Sequence, residues 1–151
     1  MLSEYTDDIN RIHLLSQMLN VRLVKRDGLL MLESFCFFKS ISTKEEYSDI
    51  CNGAGAKGSG FLVPDSLYGL NMTIVFDLHD YCYNKFKSVL GKELSDLMMK
   101  VNMMLYIDKH TTKCPFMRST LLFLREKRAL LYYHAVDSVG GLFYGYEENK
   151  L

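Results

Sequence analysis

Asp77-Leu78-His79-Asp80-Tyr81-Cys82-Tyr83 is the stretch on which the reading of the fold turns. On a helix of 3.6 residues per turn, His79 and Tyr83 share a face and Asp80 points about 100° away. Upstream lies a glycine-rich loop, Gly53-Ala54-Gly55-Ala56-Lys57-Gly58. Glycines let backbone carbonyls turn inward, because positive φ costs them little. Hard cations such as calcium take oxygens from carbonyls and carboxylates. A base beside an acid that looks toward bare backbone is a place to hold a cation and activate water. Asp80 is the carboxylate in that reading; the alternative for the glycines alone is a plain surface loop.

The elements around this stretch are mainly helical. Ile9, Ile12, Leu15 and Leu19 fall on one side of a helix from Ser3 to about Leu19, with Ser3 as N-cap and Asn20 at its end. Asp27-Gly28 favours a tight turn, which predicts a hairpin of Val21 to Arg26 and Leu29 to Phe38. Residues 40 to 49 are polar and read as a loop or a short helix. Pro64 discourages helix after the glycine loop. A long helix is expected from about Asn71 to Leu90, stopped by Gly91. A second follows from Lys92 to Ile107. A third starts at Pro115 and ends near Val139, before Gly140-Gly141. The expected fold is mainly α: three core helices, a glycine loop, and an N-terminal helix and β-hairpin. It is read as a single domain over 1–151, with residues 1–50 as an extension and 51–144 as the core.

Composition narrows the class. The chain has 151 residues, and its hydrophobic fraction of 48% suits a globular domain rather than a disordered one. Eighteen basic residues balance eighteen acidic ones, so there is no electrostatic footprint for nucleic acid. No apolar run has the length of a membrane span. The start, Met1 to Asp8, is acidic and lacks the features of a signal peptide. Synthesis is expected to leave the chain in the cytoplasm, with leaderless export or association with a virion as further routes. Cys36, Cys51, Cys82 and Cys114 make no CxxC and read as mostly free thiols. The nine methionines read as core filler.

Other motif readings fail on their context. The glycines satisfy GxGxxG as a string, but a dinucleotide fingerprint follows a buried strand and opens directly into a helix. Here Gly58-Ser59-Gly60 and Pro64 intervene. A phosphate loop needs Ser or Thr after its lysine, and Lys57 is followed by Gly58. A His-Asp pair also occurs in metal-dependent phosphohydrolases, which need further histidines; His13, His110 and His134 show no fitting arrangement.

Loop, His-Asp helix and a following acid, in that order, resemble the phospholipase A2 superfamily. The resemblance rests on Cys51-Asn52-Gly53-Ala54-Gly55 as a calcium loop, on His79-Asp80-Tyr81-Cys82-Tyr83 as the HDxCY helix, and on Ser95-Asp96-Leu97-Met98-Met99 in the next helix. The last looks like the aspartate-bearing segment of compact, disulfide-poor members such as the parvoviral capsid phospholipases. Arg128 to Val136, followed by Gly140-Gly141, looks like the last helix of phage and bacterial relatives. The resemblance covers about 51 to 144.

It implies calcium-dependent hydrolysis of the sn-2 ester of glycerophospholipids at a membrane surface. His79 would be the general base, Asp96 its orienting acid, and Tyr83 a hydroxyl that steadies Asp96. Calcium would be held by Asp80 and the carbonyls of Cys51, Gly53 and Gly55, with the N–H of Gly53 at the oxyanion. An inhibitor or other partner protein would be one way to protect the producing cell. There are departures. Ser95 replaces a cysteine, so the family's disulfide between these helices cannot form, and Ala54 stands where the loop usually has a cysteine. Lys57 beside the loop either opposes calcium or meets a lipid phosphate. Phe61, Leu62, Val63, Leu67, Tyr68 and Leu70 form either an apolar lip or ordinary core. A non-catalytic binding or structural protein on the same fold, for example a phage-associated one, is the alternative function.

Overall fold

A computed structural model describes residues 5–52, 66–111 and 115–143. The expected N-cap Ser3, the loop residues Gly53, Ala54, Gly55 and Lys57, the apolar Phe61 to Val63, and Cys114 lie outside the described residues. Among those described, the architecture is six helices and two small antiparallel hairpins. No helix among them is long and apolar enough to cross a membrane.

The first helix, α1, spans Thr6–Met18 and buries Ile12 and Leu15. Asn20, at φ 52°, turns the chain out of it. β1 (Leu23–Arg26) pairs antiparallel with β2 (Leu29–Leu32), Arg26 opposite Leu29. Between them Asp27 and Gly28 have φ of 53° and 86°, the positive pair that a two-residue hairpin turn requires.

The second strand is shorter than its sequence reads. The chain leaves the sheet at Leu32, and Glu33–Ile41 forms α2. Phe35 and Phe38 stand three apart, which on a helix puts both on one face. There they meet the rings of Tyr47 and Tyr81, at centroid distances of 5.0–6.5 Å. That aromatic cluster outweighs the β propensity of the phenylalanines. α3 (Lys44–Ile50) follows, started by a capping box: Thr43 Oγ1 accepts from Glu46 N–H, and the Glu46 carboxylate accepts from Thr43 N–H.

β3 (Ser66–Leu67) and β4 (Leu70–Asn71) make a second hairpin that the sequence reading did not foresee, turning at Tyr68 and Gly69 with φ of 47° and 79°. Leu67 is fully buried and belongs to the core, whereas Tyr68 is exposed. α4 runs Thr73–Lys85 and α5 runs Val89–Thr111. Gly91 does not stop a helix; it sits in the first turn of α5. Ser88 Oγ accepts from Gly91 N–H at 3.1 Å, so Ser88 is the N-cap and the break falls at Phe86 to Ser88. α6 runs Arg118–Phe143, starting later than Pro115 and continuing through Gly140 and Gly141.

α5 is the central helix. It packs against α1, α4, α6 and β2. Met98, Met99, Val101, Met103, Met104 and Ile107 are buried along it. Each such side chain contributes about 1.5–3 kcal/mol of burial free energy. Asn102, fully buried, donates to Leu30 C=O at 2.7 Å and accepts from Leu30 N–H at 2.8 Å. It thus pins β2 to α5 with both its polar groups satisfied. Arg125 from α6 donates to the carbonyls of Leu67 and Tyr68 and to Thr111 Oγ1. This anchors the second hairpin, which leads directly into α4.

Candidate active site

α4 and α5 are joined by the short break at 86–88 and fold back along each other, so residues at similar distances from the break meet. His79 on α4 meets Asp96 on α5, with Nε2 3.0 Å from Oδ1. The His79 side chain is 10% exposed and that of Asp96 3%. Asp96 is therefore an acceptor shielded from water, and the ring keeps its N–H at Nε2 to satisfy it. In the neutral ring the lone pair is then at Nδ1. That nitrogen lies 3.6 Å from Asp80 Oδ1, an electrostatic contact longer than a hydrogen bond.

Asp80 points from the same helix toward the end of α3, as its 100° offset predicts. Its Oδ2 accepts from the N–H of Asn52 at 3.0 Å. This contact brings the carboxylate to the residue that opens the glycine stretch. Cys51, just before it, is buried, and its thiol faces the carbonyl oxygen of Asp77 at 3.5 Å. Asp77 also accepts from Tyr47 Oη at 2.7 Å. Residues 51–52 are thereby tied to α4 by two contacts, and α3 by a third through Tyr47. Burial, reinforced by Asp77 and Asp80, pushes the Cys51 thiol up to about 12. Burial likewise pushes Cys82 up to about 12. Both stay protonated at neutral pH. Cys36, Cys51 and Cys82 are free thiols, and Ser95, where a bridging cysteine would be needed, bonds through Oγ to the carbonyl of Gly91.

Tyr83 lies on the His79 face, as its spacing predicts, with ring centroids 4.4 Å apart. Its hydroxyl does not bond Asp96 as the resemblance implies; the two carboxylate oxygens pair with His79 and Lys92 instead. The group on the second oxygen of Asp96 is one the sequence reading missed: Lys92 Nζ donates to Oδ2 at 2.6 Å. The signal was present, since Lys92 and Asp96 are four apart on a helix, but that pattern is common on solvated faces. The other histidines take no part here: His13 is exposed on α1, His110 stacks on Tyr106 and His134 lies against Tyr133. Among the described residues no group of three or more His, Cys, Asp and Glu is placed to hold a metal. A cation at Asp80 would therefore need carbonyl oxygens, and the hard carboxylate at the mouth of the glycine stretch fits that donor chemistry.

Compared with family models, curated proteins and solved structures, the chain finds no match. A buried base held by one carboxylate and flanked by a second is a strongly coupled group. Burial pulls the basicity of His79 down, but Asp80 and Asp96 outweigh it and hold the imidazole above its ordinary value of 6.5. The consequence for stability has a definite sign. Below pH 6.5 the ring is protonated folded and unfolded, and its pairing contributes fully. Between that value and the raised folded one, the unfolded chain has lost the proton and the folded chain has not, so the contribution falls as pH rises; above the folded value it is gone. In chelator, the thermal midpoint of the wild type is expected to fall more steeply than that of His79→Gln as pH rises above 6.5. Parallel curves would remove the coupling.

Proposed function

We propose that the protein is a calcium-dependent phospholipase A2-like hydrolase that cleaves the sn-2 ester of glycerophospholipids. The observation that carries this reading is the division of the His79 ring: Nε2 is committed to buried Asp96, while Nδ1 is turned toward Asp80. An imidazole held this way takes a proton at Nδ1 from a water that attacks beside Asp80. Asp96 orients the ring and stabilises the imidazolium that forms. The Tyr83 ring, inclined at 38° against the imidazole with centroids 4.4 Å apart, limits its movement. Asp80 and the carbonyls of Cys51, Gly53 and Gly55 would hold calcium. Bound there, calcium would supply Lewis-acid polarisation of the ester carbonyl. The N–H of Gly53 is the proposed donor to the oxyanion. Helix packing through the methionine-rich α5 replaces the disulfides of secreted enzymes.

The test is fatty-acid release from mixed phospholipid vesicles. Release is expected with millimolar calcium and is expected to vanish in chelator. If well-folded protein releases nothing at millimolar calcium, the proposal fails and a non-catalytic binding role takes its place.

A further inference from the structure

Both carboxylate oxygens of Asp96 are engaged. Oδ1 meets His79 Nε2 at 3.0 Å and Oδ2 accepts from Lys92 Nζ at 2.6 Å. Lys92 stands one helical turn before Asp96 on α5, and its side chain is 11% exposed. The ammonium also reaches α6, 3.4 Å from the backbone carbonyl of Asp137 and 3.8 Å from its Oδ1. A lysine on a helix ordinarily runs its stem along the surface and keeps its head in water. This one turns inward at the cost of desolvation, and the order Lys before Asp is the weaker arrangement for a pair four apart. Helix stability alone does not account for it.

We propose that Lys92 is the positioning residue of the site. Pinned between α5 and α6, it fixes the rotation of the Asp96 carboxylate, so that Oδ1 faces Nε2 and the ring presents Nδ1. The proposal rests on reading His79 and Asp96 as the working pair. Lys92 acts through Asp96, whose Oδ2 it holds. A carboxylate held at one oxygen only can swing, and the ring it orients swings with it. Because the Lys92 head is also held by the carbonyl of Asp137, the carboxylate is tied to backbone on a third helix.

The experiment compares the full chain with Lys92→Met, Lys92→Arg, Asp96→Asn and the Lys92→Met/Asp96→Asn double variant. On phospholipid vesicles with calcium, Lys92→Met is expected to lower kcat by about 10–100-fold, with KM changed little, as for a lost orienting contact. Lys92→Arg should restore most of it. In the Asp96→Asn background the same change should cost little, because the lysine has nothing left to position. Nitrogen NMR of the neutral His79 ring provides a readout that needs no turnover. Wild type should show the proton on Nε2, and Lys92→Met should show a mixture of tautomers. If Lys92→Met strands the Asp96 charge and does not fold, Lys92→Gln takes its place under the same criteria. Wild-type kcat together with an unchanged ring spectrum would overturn the proposal. So would an equal loss of kcat in the Asp96→Asn background. Absence of vesicle hydrolysis in the wild type would remove the hydrolase reading, and the ring spectra would still decide whether Lys92 positions the pair.

Discussion

His79→Ala is expected to lower calcium-dependent fatty-acid release by about 10²–10⁴-fold, the range a positioned general base supplies. Alanine also leaves Asp96 Oδ1 without its partner in a site where the carboxylate is 3% exposed. A buried acceptor stripped of its donor destabilises the fold, so lost activity in that variant alone has two explanations. His79→Gln separates them. A glutamine amide can still donate to Asp96, so the contact between α4 and α5 can survive, but it has no basic nitrogen. The expected result is a variant with near-wild-type thermal stability in chelator at a pH above the His79 titration, calcium binding retained, and release as low as in His79→Ala. Release by His79→Gln within a few-fold of wild type would show that another group takes the proton.

The two halves of the site differ in how far the sequence discloses them. His79, Asp80 and Tyr83 sit in one short run, where the helical period fixes which of them share a face. The structure puts Tyr83 against His79 and carries the Asp80 carboxylate on to Asn52, as that period requires. Asp96 was legible through the order of motifs, and its contact with His79 follows from two helices folding back at one break. The break itself falls earlier than the glycine suggests. Gly91 looks like a stop, but a glycine three residues after a serine equally fits the N3 position of a new helix, and Ser88 decides it by accepting from Gly91 N–H. Leu29 to Phe38 looked like one strand because its residues favour strands; the aromatic cluster with Tyr47 and Tyr81 is a long-range contact that no local pattern reveals. Lys92 was missed for a similar reason. Its spacing from Asp96 shows in the sequence, but the inward turn toward Asp137 depends on where α6 packs. Leu67 takes the core reading rather than the lip, and the hairpin at Tyr68-Gly69 depends on the long-range bonds of Arg125 to its carbonyls, which no local pattern reveals.

Asp80→Asn is expected to weaken calcium binding by at least about tenfold, since affinity at oxygen sites follows the charge of the ligands. Titration calorimetry measures this directly, and release from vesicles at low millimolar calcium should be lost with it. The substitution is nearly isosteric. The asparagine carbonyl can still accept from Asn52 N–H, so the chain at 51–52 stays in place and the loss is one of charge. The same charge acts on His79. Asp80 is one of the two carboxylates that hold the imidazole above its ordinary value against burial. Without it, burial gains ground, and the pH at which the chelated protein loses its His79 contribution moves down toward 6.5. Unchanged calcium heats in Asp80→Asn would place the cation elsewhere. The pattern across variants then carries more than either result alone. His79→Gln should keep calcium and lose turnover, whereas Asp80→Asn should lose both. Adjacent residues on one helix, aimed about 100° apart, have to fail differently if one is the base and the other the ligand. Identical failure in both assays would mean that the two side chains only hold α4 in place.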